Sequence, residues 1–339
     1  MPIVSHEDRR MHPPDATPPA YDCSVVVLNW NKRDRLRRGL EVLHRPSSLR
    51  LELIVVDNGS TDGSSEMVRR EFPQVRLLEA GQNLGIARGK NLGLRVASGE
   101  FVLVADDDVL VLPAQLEALL RVARENPQAA VVAPMKVDDR GKPLYTHHVP
   151  GPSTLGFAHF LVAEWSLQEL ARRVKRTVGW GERAPHESKT LVEIPFVGGG
   201  VMLVRAEAMR QVGLLDENIF FYGEDFDWCW RFRQRGWKVL YAPQIRVVAA
   251  YGVNARRTKR ASLVSLYSRR YLFTKHVGPR WLPLYIIVAL LGLAPKLVYY
   301  GAQDLLHPVP GDIPLGTWLR GALACVLGRG PEAGAPPRQ

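Results

Sequence analysis

The sequence predicts an α/β protein with a mostly parallel central sheet, helices on both of its faces, and a C-terminal helical extension. Three observations predict it. Strand-like and helix-like segments alternate from Ser24 onward, the strand-like segments are near-continuous apolar runs, and the positive charge is concentrated behind them. Repeated βα units whose strands are apolar on both sides belong in a parallel sheet covered on both faces.

Ser24 to Trp30 reads as a strand and Arg33 to Arg45 as a helix. Leu51 to Asn58 is a second strand, ending in the turn Gly59 to Gly63, and the helix Ser64 to Phe72 and the strand Val75 to Glu79 follow. Ile86 to Ala97 is helical and Glu100 to Ala105 is a strand. Pro113 to Glu125 opens on proline, which suits the first helical position, and Ala129 to Val137 is again a strand. The rhythm fails between residues 138 and 195, where Pro, Gly, His and Trp mix around one helix-like stretch, Glu164 to Val174; this reads as a variable, substrate-facing insertion. It resumes with the strand Val201 to Arg205, a short helix around Glu207 to Val212, and a helix from Asp225 to Arg235.

The chain therefore divides into a polar, proline-rich lead-in (1–20) without the apolar run of a secretory signal, an α/β domain (21–245), a basic and apolar helical extension (246–327), and a tail (328–339). The lead-in and tail read as disordered. Three cysteines without a CxxC pair argue against a disulfide framework or structural zinc and for a reducing compartment.

Of the formal net charge of +11, +10 lies in residues 246–339, which hold 13 Lys+Arg against 3 Asp+Glu. The near-neutral remainder argues against a nucleic-acid coat. Trp281 to Ala294 is about fourteen apolar residues, interrupted by Pro283 and followed by Pro295-Lys296, whereas a spanning helix needs roughly twenty. An interfacial or re-entrant segment on an anionic membrane surface is expected, with Trp318 to Leu327 beside it. Two ordinary core helices are the alternative.

Four motifs carry candidate chemistry. Asp106-Asp107-Asp108 follows the apolar strand Phe101-Val102-Leu103-Val104, and clustered carboxylates suit a hard divalent cation; a solvated acidic loop is the plainer reading. Asp57 ends a strand, where it is able to accept a hydrogen bond from a nucleotide or simply cap the turn Asn58 to Gly63. Glu224-Asp225 opens a helix, where a carboxylate is stabilised in its charged form and available to accept a proton, or serves only as a cap. Gly198-Gly199-Gly200 permits close approach of a ligand to the backbone or a tight turn. Asp227 and Arg231, four apart, read as a supporting ion pair. There is no GxGxxG after the first strand and no Walker motif, and His147-His148 lacks metal-ligand spacing.

In this order and spacing the chain resembles the family 2 glycosyltransferases of GT-A fold, and among them the rhamnosyltransferase-like branch. The resemblance covers roughly Tyr21 to Pro243. It is carried by Val27-Leu28-Asn29-Trp30-Asn31, Val55 to Ser64, Asn83 to Gly93, the Asp106 to Asp108 triplet, Phe196 to Met202 and Phe221-Tyr222-Gly223-Glu224-Asp225. It implies that Asp57 contacts the donor's base and that Asn29, Asn31, Asn83, Arg88, Asn91, Asp106 and Asp107 line a nucleoside-diphosphate-sugar site. It also implies a DxD motif in which Asp108 is the direct ligand of Mn²⁺ or Mg²⁺ and Asp106 lies nearer the ribose. Gly198, Gly199 and Gly200 would border the acceptor, and Asp225, with Glu224 beside it, would be the general base. The implied reaction is a metal-dependent, inverting transfer to a saccharide or lipid-linked hydroxyl in cell-surface polysaccharide synthesis, on the cytoplasmic face of the membrane.

One departure stands out: where related enzymes often carry a histidine after the catalytic helix, this chain reads Val248-Ala249-Ala250-Tyr251-Gly252. No histidine occurs between His186 and His276, and Tyr251 or Arg256 is expected to substitute. Two other functions compete. A sugar nucleotidyltransferase would need a glycine-rich phosphate loop, but Cys23 to Asn31 has no glycine. A catalytically silent scaffold is the reading the missing histidine would favour, against the retained Asp106 to Asp108 and Glu224-Asp225.

Overall fold

The structure is a computed structural model that describes residues 19–107, 109–144, 190–198, 200–249, 259–306 and 312–328. Its first strands are β1 (Tyr21–Asn29), β2 (Leu51–Asp57), β3 (Arg76–Glu79) and β4 (Gly99–Asp106). They alternate with α1 (Arg33–Leu43), α2 (Ser64–Glu71) and α3 (Ile86–Leu94). Next come β5 (Val109–Leu110), α4 (Pro113–Glu125), β6 (Ala129–Val137), β7 (Val192–Glu193), β8 (Val201–Arg205), α5 (Ala206–Val212), α6 (Glu224–Gln234) and β9 (Lys238–Ala249).

Strand residues alternate between two cores because successive side chains leave a strand on opposite faces. Val25, Val27, Phe101 and Leu103 pack with α1, α2 and α4, whose buried stripes include Leu36, Leu40 and Leu43 on α1. Val26, Val102 and Val104 face the other way, onto α3, α5 and α6, where Trp228 and Phe232 are fully buried.

The strands run in the order β3-β2-β1-β4-β8-β6-β9-β5, with β7 also on β9. The expected parallel pairing holds among β1 to β4 and between β6 and β9. β8 runs antiparallel to both β4 and β6, and β5 and β7 run antiparallel to β9, so the sheet is mixed. Between β6 and β9 the register slips from Pro134↔Ala242 to Met135↔Arg246. Pro243 falls in that bulge, where a strand tolerates a missing donor.

The extension comprises α7 (Lys259–His276), a 3₁₀ turn (Pro279–Trp281), α8 (Leu282–Leu306) and α9 (Leu315–Leu327). Its own small core joins Leu266, Leu293, Tyr300, Trp318, Ala322, Cys325 and Val326. At one end the buried Lys259 ammonium pairs with Asp304 at 2.5 Å and Asp312 at 3.7 Å. The apolar stretch does not break at Pro295 as the sequence suggested. α8 is one 25-residue helix that passes through it. Proline removes one intrahelical bond, and Pro295 sits on the exposed side of a helix packed against α7 and α9.

Candidate active site

The carboxyl ends of β1, β2 and β4 lie side by side, which aligns Asn29 with Asp57 and Leu28 with Asp106. Open α/β sheets place ligands at such strand ends. Asn29 Nδ2 donates to Asp57 Oδ1 at 3.2 Å and to Ser60 Oγ at 3.1 Å, and the Ser60 amide donates to Asp57 Oδ2 at 3.0 Å. Asn31, in a left-handed conformation at φ 54°, accepts the Thr61 amide at 2.7 Å. These polar side chains shape the turn after β2, and Asn29 Oδ1 is buried with no partner among the described residues.

Asn58 ties this turn to the next motif by donating to Asn83 Oδ1 at 3.1 Å and accepting the Leu84 amide at 3.0 Å. Gly85 follows at φ 82°, where an added Cβ would lie 2.5 Å from the Phe220 carbonyl oxygen. That carbonyl accepts the Ile86 amide at 2.8 Å, so the start of α3 is bonded to the loop that leads into α6.

Two residues expected to line the donor site are occupied otherwise. Asn91 is buried, donating to the Leu215 carbonyl and Glu217 Oε1, both at 2.9 Å, and accepting the Leu215 amide at 3.1 Å. Arg88 donates to the Glu217 carbonyl at 3.3 Å. Both are turned toward the loop before α6, and in these contacts they hold that loop.

Between them on α3, Lys90 is buried and reaches Asp106 Oδ1 at 2.7 Å. Burial works against its ammonium, but Asp106, Glu224 and Asp225 together hold its pKa above the ordinary lysine value. Burial likewise opposes the charged form of Asp106, yet the Lys90 contact and the charge of Lys136 pull its pKa below the usual carboxylate value. A Cβ on Gly200 would lie 3.2 Å from Lys136 Nζ and 3.6 Å from Asp106 Oδ2, so Gly200 closes this side of the cluster.

Glu224 and Asp225 begin α6. Burial, and then the neighbouring Asp225 charge, push the Glu224 carboxyl up to about 8, and its Oε2 has no partner among the described residues. Asp225 is half-buried and accepts the Phe226 amide at 2.7 Å.

Nothing in the sequence assigns a role to Lys90 or Lys136. Lys90 sits inside the quoted Asn83 to Gly93 motif, but a lysine on a short polar helix reads as solvated, and only the position of β4 beneath it reveals the buried pair. A clamp behind α6 is likewise invisible in the sequence. The fully buried Asp227 accepts Arg231 Nε at 2.8 Å, Lys275 Nζ at 2.7 Å and His276 Nε2 at 2.7 Å, the last two from α7. Asp227–Arg231 is the ion pair expected from their spacing. Ser268 on α7 donates to the Phe221 carbonyl at 2.8 Å, and Gly223 (φ 104°) leaves room for Leu272, which a Cβ there would meet at 2.6 Å.

Asp108, Gly199, Tyr251, Arg256, His147-His148 and most of the insertion lie outside the described residues. Among the described residues no three His, Cys, Asp or Glu side chains form a metal cage. The donors at the end of β4, Asp106 and Asp107, are hard oxygens of the kind that suit Mg²⁺ or Mn²⁺.

The sequence profile described as glycosyl transferase family 2 matches residues 24–212, more than half of the chain. The chain belongs to that family. It is 28% identical over 277 residues to an N-acetylglucosaminyl-diphospho-decaprenol L-rhamnosyltransferase of Mycobacterium tuberculosis, covering 75% of this chain and 85% of that one. A pre-mycofactocin glycosyltransferase of the same organism is 30% identical, over 68% of this chain and 43% of that one. Among solved structures, a mannosyltransferase from Pyrobaculum calidifontis in complex with GDP-Man and Mn²⁺ superposes with a TM-score of 0.52 at 18% identity, covering 94% and 90% of the two chains. The fold of this family 2 glycosyltransferase is therefore GT-A, as the motifs implied.

Proposed function

We propose that this protein is an inverting glycosyltransferase that moves a sugar, rhamnose being favoured, from a nucleoside diphosphate to a hydroxyl of a saccharide or lipid-linked acceptor in cell-surface polysaccharide synthesis. The observation that carries this reading is the convergence on Lys90. Asp106 from β4 touches its ammonium, and Glu224 and Asp225 from α6, more than a hundred residues further along the chain, raise its pKa. Asp106 bonds this buried cation, and the charges at the start of α6 act on it from across the site.

In this reading Asp225, charged at the start of α6, takes the proton of the acceptor hydroxyl. The oxygen attacks the anomeric carbon, the bond from that carbon to the diphosphate oxygen breaks, and the nucleoside diphosphate leaves with the electron pair as the configuration inverts. Glu224 stands beside Asp225 with its carboxyl raised by burial and then by the Asp225 charge. Asp57, Asn29 and Asn31 shape the pocket for the donor's base, Asn83 and Asp107 border it, and Gly198, Gly199 and Gly200 flank the acceptor. Asp106 and Asp108 would hold Mn²⁺ or Mg²⁺, which when bound supplies positive charge for the departing diphosphate. Support comes from the relative named for a decaprenol-linked substrate and from the mannosyltransferase complexed with Mn²⁺. The enzyme acts at the cytoplasmic face of the membrane, held peripherally by its basic extension.

The test measures donor binding and turnover across a panel of nucleoside-diphosphate sugars, with and without Mn²⁺ or Mg²⁺. One donor should bind only with metal, and Asp108→Ala should abolish that binding. Asp225→Asn should keep donor binding while turnover falls about 10²- to 10⁴-fold, the range for losing a general base. Absence of binding to every donor under both conditions overturns the transferase reading, and unchanged turnover in Asp225→Asn removes Asp225 from its role.

A further inference from the structure

Helix α8 has two unlike faces. Tyr285 is buried against Phe273 of α7, and Leu293 and Tyr300 in the small core with α7 and α9, whereas Trp281 just before the helix and Leu284, Ile287, Leu291, Val298 and Leu305 along it are exposed, from 46% at Trp281 to 85% at Leu305. Successive members are three, four or seven residues apart, so they form one stripe along the whole helix. A row of large apolar side chains this long is more than a soluble surface ordinarily carries.

By length and composition alone, Pro279–Leu306 also passes for a membrane span, with a mean hydropathy of 1.9 over its apolar window. Its neighbours do not permit one. α7 runs beside it and carries Lys259, Arg269, Arg270, Lys275 and His276, which are costly to bring into hydrocarbon. The second half of α7 is bonded to the catalytic domain, through Ser268 to the Phe221 carbonyl, Tyr271 to Asp216 at 2.8 Å, and Lys275 and His276 to Asp227. α9, at 13 residues, is too short to cross. What remains for lipid is the stripe. Charge selects the kind of lipid: Lys259 occupies both aspartates of residues 259–328, Lys275 is taken by Asp216 and Asp227, and Arg280 and Arg320 stand exposed with no acidic residue beside them in sequence. The surplus is complementary to an anionic leaflet.

We infer that α8 lies lengthwise in the plane of an anionic membrane, with the Trp281-to-Leu305 stripe among the acyl chains and α7 and the catalytic domain on the water side. This rests on the membrane-associated reading above and specifies its geometry: both ends of α8 are on one side.

Two experiments on the intact 339-residue chain separate the geometry from that reading. In flotation with phosphatidylcholine vesicles, binding should require added phosphatidylglycerol. Leu291→Glu and Val298→Glu, at exposed positions that leave the fold intact, should each weaken it roughly tenfold, because a charge placed in the apolar face opposes insertion. Failure to float with either lipid overturns the membrane reading and this inference together. So does concentration-dependent dimerisation abolished by the same variants, which would make the stripe a contact between copies. In the second experiment Arg280→Cys and Thr317→Cys, read against the buried native cysteines, are labelled with an impermeant maleimide in inside-out membrane vesicles from producing cells. Equal labelling before detergent is expected. Labelling of Thr317→Cys only after detergent would mean that α8 crosses, overturning the flat geometry while the membrane reading survives.

Discussion

Asp227 joins the helix that carries Asp225 to the extension, and a double-mutant cycle between Asp227→Asn and His276→Asn measures that link. Asp227 is 0% exposed and accepts three charge-assisted bonds of 2.7–2.8 Å. Each such bond is worth about 1.5–3 kcal/mol, but the sum overstates the loss. Arg231 keeps the Val212 and Leu214 carbonyls at 3.0 and 2.7 Å, and Lys275 keeps Asp216 at 2.6 Å. Asp227→Asn should therefore cost about 3–4 kcal/mol, within the range for breaking a buried pair, and His276→Asn about 2 kcal/mol. Because the two touch, the double variant should fall short of the sum by about 1–2 kcal/mol. Urea unfolding supplies all four stabilities. A coupling below about 0.5 kcal/mol, the limit of ordinary additivity, would refute the claim that α7 steadies α6. Kinetics add a second readout, since loosening the start of α6 should lower kcat while the KM for donor stays near its original value.

Two further outcomes follow from the site. The Glu224 carboxyl is raised from 4.5 to about 8 by burial and then by Asp225, so the folded state binds a proton that the unfolded chain has lost between those values. That contribution is complete below about pH 4.5 and is lost as pH rises through about 8, so stability should fall across the window; Glu224→Gln should flatten the fall in urea unfolding at stepped pH, and an unchanged slope would contradict the raised value. Gly85→Ala forces a side chain onto a residue at φ 82° and within 2.5 Å of the Phe220 oxygen; it should cost about 3 kcal/mol and raise the donor KM, and a thermal midpoint equal to the parent's would show that the loop gives way freely.

Where one physical signal dominated, the sequence was enough. Pro113 to Glu125, Ala129 to Val137 and Val201 to Arg205 have the boundaries read from it, because proline at a helix start and unbroken apolar strands leave little alternative. Direction was not legible, since the apolar run of β8 reads the same whether it pairs parallel or antiparallel. β9 was passed over because Pro243, Gln244 and Arg246 disguise a twelve-residue strand whose bulge absorbs them. At the site, the motifs located Asp57, Asp106, Glu224 and Asp225 at element ends. Which groups they meet depends on packing across the fold, and so Lys90 and the α7 clamp on Asp227 appear only in three dimensions. Asn91 shows the same limit: its type suited a ligand contact, but its amide is taken up by the backbone of a loop 124 residues away.

The two-residue strand β5 has a consequence larger than its size. It leaves the acidic triplet with two anchorages: Asp106 at the end of β4, bonded through its amide to Gly200, and Val109–Leu110 laced to Val248–Ala249 at the last step of β9. Ten residues beyond Ala249 the chain enters α7. The strand that pins the far side of the acidic triplet is therefore also the last strand of the catalytic domain before the extension begins.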